Sequence, residues 1–408
     1  MKKKIFLASY GGGHSRLLIP LIHKLQEMNH YEIEVLGLTA SAADYLAADI
    51  PFYGMVKLME SFGDDHVLQM GRALLSDVSH SAVSLDESIA YLGLSYRELV
   101  EVHGESRASK LYKKYGRQAF LPINLMKRWL QKIKPDLVIA TSSPRMERAT
   151  LEAASNLGIS SLCLVDLFCM DEYGWVAQKN FASKICVIAE PVKNLLISKG
   201  RPGKDIEVTG SPAFEHLIIE DAAIIRSDIR AAKGWKNDFV ILWAVTDEPH
   251  FHPFTREPGF EKLNELINLE LKKIVKNSPN WRVIIRSHPL KPFEFKGLPN
   301  MIEMDDRSMA LASLLASVDC VVTSGSTVGF EAAILRVPVI SLRMSCFYAS
   351  APYDTFEYGL GVDKISDLKF TLEAIFYKKW EFSVSAPKQK NSVNNVIRVI
   401  DGMISGAG

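Results

Sequence analysis

The feature that most narrows the possible folds is a repeated rhythm. A short apolar run rich in β-branched residues is followed by a turn, then by a segment of helical period. This recurs along a chain of 408 residues. The run Phe239–Ala244 contains no charged or amide side chain. That suits a strand covered on both faces, as in parallel sheets flanked by helices. Strands are expected at Ile5–Ser9, Ile33–Leu38, Leu137–Thr141, Ser161–Val165 and Ile185–Ala189. A second series follows at Phe239–Ala244, Val283–Ile285, Met301–Glu303, Cys320–Thr323 and Val339–Leu342. Strand alternating with helix, run through twice, predicts an α/β protein of two Rossmann-like, doubly wound domains facing a cleft.

The turn Val208-Thr209-Gly210-Ser211-Pro212 marks a boundary, so the first domain is expected over 1–210 and the second over 211–385. Residues 51–128 break the strand rhythm and read as a helical insertion on the first domain. Asn391–Ile404 places Val393, Val396, Ile397, Val399, Ile400 and Ile404 at helical spacing. The segment 386–408 is therefore expected to end in a helix that packs back on the first domain.

Composition removes several classes. Lys and Arg number 48 against 47 Asp and Glu, so no overall basic field advertises nucleic acid. The tyrosines and tryptophans are scattered and make no stacking platform for single strands. No apolar run approaches the roughly 18 residues of a membrane-spanning helix. The five cysteines are an odd number without a CxxC pair, which argues against both a disulfide framework and a zinc site. The apolar run after Lys2-Lys3-Lys4 is broken at Gly11-Gly12-Gly13-His14, too soon for a signal peptide, so a cytoplasmic location is expected.

Three constellations carry the chemistry. In the first, a strand runs through Gly11, Gly12 and Gly13 into a helix. Glycines let backbone approach a ligand, and a helix amino terminus offers free N–H groups to an anion. Gly12 and Gly13 are candidate ligand contacts. His14, with an intrinsic pKa near neutrality, is a candidate base. The second is Arg286-Ser287-His288-Pro289 after a strand, with Arg286 and His288 as candidate phosphate contacts. The third is the run Ser324-Gly325-Ser326-Thr327, which opens a helix and forms a candidate diphosphate cradle. Glu331, on that helix, is placed to accept ribose hydroxyls. Each pattern also fits a plain capped turn.

Weaker candidates surround these. Thr246 reads as a phosphate contact on an irregular loop whose Glu248, His250 and His252 lack the spacing of a metal site. Asp166, after the strand Ser161–Val165, is a second candidate base, near Asp171 and Glu172. The turn Ser142-Ser143-Pro144-Arg145 offers hydroxyls and a cation. No Asp-x-Asp pair ends a strand, so neither a metal nor a cofactor is expected.

Taken in order, these residues resemble the GT-B superfamily of nucleotide-sugar enzymes over nearly the whole chain. Gly11–His14 looks like the amino-terminal loop of the lipid-II N-acetylglucosaminyltransferase and the diacylglycerol glycosyltransferases. The stretch Ser183–Pro212 is similar to their crossover into the second domain, and equally to that of the UDP-N-acetylglucosamine 2-epimerases. His288-Pro289 and Ser324–Thr327 look like motifs of bacterial sialyl- and capsule-polymer transferases. The resemblance implies a nucleotide-sugar donor (UDP- or CMP-linked) held by the second domain. It also implies a glycan or lipid-linked acceptor, a role in surface polysaccharide synthesis and a peripheral contact with the inner face of the membrane. The epimerases open with Gly-Thr-Arg-Pro-Glu where this chain has Gly11–His14, and their Ser-Gly-Gly is Ser324-Gly325-Ser326 here. These departures favour a transferase, with a 2-epimerase as the alternative.

Overall fold

The apolar runs assemble into two separate parallel sheets. The computed structural model describes residues 2–75, 83–217, 221–253, 255–287, 301–384, 387 and 389–406. The first sheet comprises β1 (Lys3–Ser9), β2 (Tyr31–Gly37), β3 (Leu137–Thr141), β4 (Ser160–Leu164), β5 (Lys184–Val187) and β6 (Ile206–Val208). Its strand order is β2-β1-β3-β4-β5-β6, and every pairing is parallel. The second sheet comprises β7 (Phe239–Ala244), β8 (Trp281–Arg286), β9 (Ile302–Met304), β10 (Cys320–Thr323), β11 (Val339–Leu342) and β12 (Gly359–Val362). Its order is β12-β11-β10-β7-β8-β9, again all parallel.

Each sheet reverses its winding once, between β1 and β3 in the first and between β7 and β10 in the second. Loops leaving the carboxyl ends of two such strands diverge to opposite faces and leave a crevice. The glycine turn follows β1, and the serine-rich turn follows β10. Both constellations therefore stand at a reversal point. The two folded units are Met1–Glu215 with Gln389–Gly408, and His216–Lys388.

Burial explains the strand chemistry. All six residues of β7 are buried, as a centre strand covered on both faces requires. In the second unit Ile241, Trp243, Val283, Ile285, Val322 and Ile340 pack against Ile267 and Leu271 of the helix Leu263–Lys276. In the first unit Ile5, Leu7, Val35 and Ile139 meet Leu18, Leu21, Ile22 and Leu25 of the helix Gly13–Met28. The terminal helix Ser392–Ser405 adds Val396, Ile397 and Ile400 to that same core. Its return is pinned by the buried Gln389, whose Oε1 accepts the Ser211 N–H at 2.6 Å while Nε2 donates to the Ile188 carbonyl at 3.2 Å. The Tyr31 hydroxyl donates to Asp401 at 2.6 Å from the other side.

Between β2 and β3 lie the helices Ser41–Ala47, Met55–Phe62, Asp65–Ala73, Leu85–His103, Glu105–Tyr115 and Ile123–Ile133. Two of them start on side-chain caps: Asp64 accepts the Val67 N–H at 2.8 Å, and Ser84 accepts the Glu87 N–H at 3.3 Å. The strand read as ending at the Val208–Pro212 boundary is β6, whereas β12 has no counterpart among the expected strands, because Gly-Leu-Gly-Val is too glycine-rich to stand out by pattern. All five cysteines are free and buried. Among the described residues no helix is long and apolar enough to cross a membrane.

Candidate functional site

At the first reversal point β1 passes through Tyr10 into Gly11 and Gly12, with φ of +130° and +64°. A β-carbon on Gly11 would lie 2.7 Å from the Ser41 backbone nitrogen, so the turn excludes any larger residue. The helix Gly13–Met28 then starts on Gly12 with no side-chain cap. Its opening turn faces a carboxylate instead: Asp166 Oδ2 lies 3.1 Å from where a β-carbon on Gly13 would stand. The positive end of the helix dipole and a carboxylate are thus juxtaposed. The expected residues Gly12, Gly13, His14 and Asp166 come together here.

Asp166 follows β4, and its N–H donates to the Ser142 hydroxyl at 3.2 Å, tying the β4 loop to the β3 loop. The Ser142 carbonyl accepts from the Trp175 indole at 3.2 Å. Within the β4 loop Leu167 and Cys169 adopt φ of +39° and +58°. Left-handed backbone at side-chain-bearing residues is costly and collects at working sites. The same loop carries Asp171 and Glu172. Burial, reinforced by the neighbouring Asp171 and Asp166 carboxylates, pushes the Glu172 carboxyl up to about 8.

Glu147, on the helix Met146–Asn156 after β3, was not singled out in the sequence. A glutamate in a first helical turn looks like a routine dipole partner. Tertiary structure gives it a different setting. It is fully buried, and its Oε1 accepts the Tyr10 N–H at 2.6 Å, joining the loops after β1 and β3. Desolvation raises its pKa, opposed by the electrostatic pull of His14. Its Oε2 and the Nδ1 of His14 are both buried without a hydrogen-bond partner. The only sequence signal was position: a carboxylate six residues beyond a strand end, behind Ser142-Ser143-Pro144-Arg145. Chemically, this edge is a set of proton-exchanging groups: an imidazole, a buried carboxyl, and a cluster of three carboxyls with one poised near neutral pH.

The second reversal point is arranged otherwise. Thr323, Ala244 and Arg286 are in register across β10, β7 and β8, so the loops that follow them emerge side by side. The Thr323 hydroxyl accepts the N–H groups of Gly325 at 3.3 Å and Ser326 at 3.0 Å, shaping the serine turn. Gly325 has φ of +130°, and a β-carbon there would stand 2.9 Å from the Phe347 carbonyl. Ser324 is buried, Ser326 half-buried and Thr327 exposed. The Ser326 carbonyl accepts from the Tyr353 hydroxyl at 2.6 Å. Glu331 is half-buried on the helix Val328–Ile334. Thr246 is half-buried, with its carbonyl accepting from Asn264 at 2.9 Å.

Arg286 is engaged by its own unit, its guanidinium donating to Asp305. His288 lies outside the described residues. Glu248 and His252 also have internal partners. Glu248 accepts from the Ser345 hydroxyl at 2.7 Å and the Cys346 N–H at 2.9 Å, while His252 Nδ1 accepts the Thr255 N–H at 3.0 Å. Among the described residues no group of three His, Cys, Asp or Glu is arranged to hold a metal.

Neither a family model nor a curated relative matches this sequence. The fold, however, is shared with solved structures over essentially full length. Staphylococcus aureus MnaA, solved with UDP, superposes with a TM-score of 0.61 at 14% identity, covering 99% of this chain and 97% of that one. The UDP-GlcNAc 2-epimerase of Methanocaldococcus jannaschii, solved with UDP-GlcNAc and UDP, gives 0.55 at 16% identity over 98% and 99%. HepE of Anabaena, solved with UDP and glucose, gives 0.53 at 12% identity over 99% and 100%. At such identities the likeness establishes the two-domain GT-B architecture.

Proposed function

We propose that this chain is an enzyme acting on a UDP-sugar, and that its reaction is of the 2-epimerase type. The observation that carries the reading is Asp166 beside the uncapped turn at Gly13, coupled electrostatically to Asp171 and to Glu172, whose carboxyl is pushed up to about 8. Inverting a C–H centre requires a proton to be taken from one face and returned to the other. Groups that both accept and release protons near neutral pH suit that task. Full-length likeness to solved 2-epimerases supports the same class.

In this reading the second unit holds the nucleotide. The turn Ser324–Thr327 and Thr246 meet the phosphates, with Glu331 on the ribose. His14 and Asp166 act on the sugar, and Gly12 and Gly13 admit it closely. Arg286, one Nη of which donates to Asp305, meets a phosphate with its remaining N–H groups.

A transferase using the same donor is the second reading, favoured by His14 on an open glycine turn, where an imidazole suits the deprotonation of an acceptor hydroxyl. One experiment separates them. UDP-GlcNAc is incubated with the protein in D2O without acceptor and followed by NMR. Deuterium entering carbon 2, with epimerised or released sugar, supports the epimerase type. A donor that binds but returns unexchanged rules it out and leaves the transferase.

A further inference from the structure

Arg145 is a cation that neither proton transfer nor nucleotide binding uses. It lies at the end of the β3 loop, just before the helix Met146–Asn156. Its guanidinium sits 4.6 Å from the centre of the Tyr10 ring, on the residue that opens the glycine turn. Its Nε is buried without a hydrogen-bond partner, and no carboxylate forms an ion pair with it among the described residues. Tyr91, from the helix Leu85–His103, lies fully within the interior with its hydroxyl likewise unpartnered, and it interacts electrostatically with Arg145, Tyr10 and Arg117.

We propose that Arg145 and Tyr91 form an oxyanion subsite in the first unit, which binds a carboxylate or phosphate carried by the sugar or acceptor received there. This rests on reading the first unit as the part that receives the sugar. The physical grounds are threefold. A guanidinium stacked on an aromatic ring is held flat, with its fork preorganised for a planar or tetrahedral anion. Buried polar atoms normally have partners, so donors left open at a strand end call for one from outside. The charge is also retained, since a guanidinium stays protonated inside proteins.

The test is calorimetric titration of the full chain, in the presence of UDP, with glucuronate, glucose 6-phosphate and glucose. UDP occupies the nucleotide site, so the sugar anions report on the first unit. At least one anionic sugar is expected to bind tenfold or more tighter than glucose. Tighter glucuronate identifies a carboxylate subsite, and tighter glucose 6-phosphate a phosphate subsite. Arg145→Gln and Arg145→Lys should each weaken that anion at least tenfold, Lys because it lacks the fork. Tyr91→Phe, which removes one hydroxyl and no packing volume, should weaken it severalfold. UDP affinity should not change in any variant.

The proposal is overturned if no anionic sugar exceeds glucose, if the folded variants bind anions like the wild type, or if they lose UDP affinity instead. Should Arg145→Gln fail to fold, the Lys and Phe variants decide. A wild type that ignores UDP sinks the nucleotide-sugar reading, while the anion titration still decides this one.

Discussion

The carboxyl edges of the two sheets are built on the same plan and finished differently. Each has a glycine turn at a winding reversal, flanked by loops from the neighbouring strands. In the second unit the polar groups of those loops largely satisfy one another: Thr323 with the serine turn, Arg286 with Asp305, Glu248 with Ser345 and Cys346. In the first unit His14 Nδ1, Glu147 Oε2 and Arg145 Nε are buried and unpartnered. Satisfied networks make a rigid platform, whereas unpartnered polar atoms and buried carboxyls are what proton chemistry uses. The proposed function accordingly places binding and reaction in different units. That division can be attacked from either side.

The largest effect is expected at the first edge. Asp166→Asn and His14→Ala, assayed with saturating UDP-sugar, should each lower turnover by roughly a hundredfold or more with nucleotide affinity unchanged. If both variants turn over like the wild type, the division of labour is wrong.

A second expectation concerns pH. The folded Glu172 carboxyl titrates at about 8, above its ordinary 4.5. From about pH 4.5 to 8 the folded state therefore keeps a proton that the unfolded chain has lost. Its contribution to stability is fully present below 4.5 and is lost as pH rises through 8. The slope approaches about 1.4 kcal/mol per pH unit for one such proton. Urea unfolding between pH 5 and 8 should show that loss, and Glu172→Gln, which cannot ionise, should be flatter by that amount. Equal slopes in the two proteins would show that the carboxyl is ordinary.

The smallest effect belongs to the second edge. Gly325→Ala places a β-carbon on a φ of +130° and against the Phe347 carbonyl. It should cost about 1–3 kcal/mol of stability and weaken UDP binding, while turnover at saturating UDP-sugar stays within about twofold. A fall in turnover with unchanged affinity would move chemistry into the second unit.

The two edges were not equally legible from sequence. Ser324–Thr327 and Gly11–Gly13 could be read because small and hydroxyl residues at a strand–helix junction are a local signal, needing only their neighbours in the chain. Glu147 was invisible for the opposite reason. What distinguishes it is the Tyr10 N–H, which lies 137 residues away in sequence and is brought near by the β1–β3 pairing. For Arg286 the sequence showed its place at a strand end but not its carboxylate partner Asp305, which arrives through the pairing of β8 with β9.

The linear pattern alone settled the class of fold. Short β-branched runs such as Phe239–Ala244, bounded by turns and alternating with helical segments, suit centre strands of parallel sheets. The points of reversal, the burial of Glu147, the crowding of Asp166, Asp171 and Glu172, and the stacking of Arg145 on Tyr10 were decided by tertiary structure. Periodicity reports which side of an element faces the core. Proton affinity and charge pairing depend on what else is within a few ångströms, and for these residues most of that arrives from distant parts of the chain.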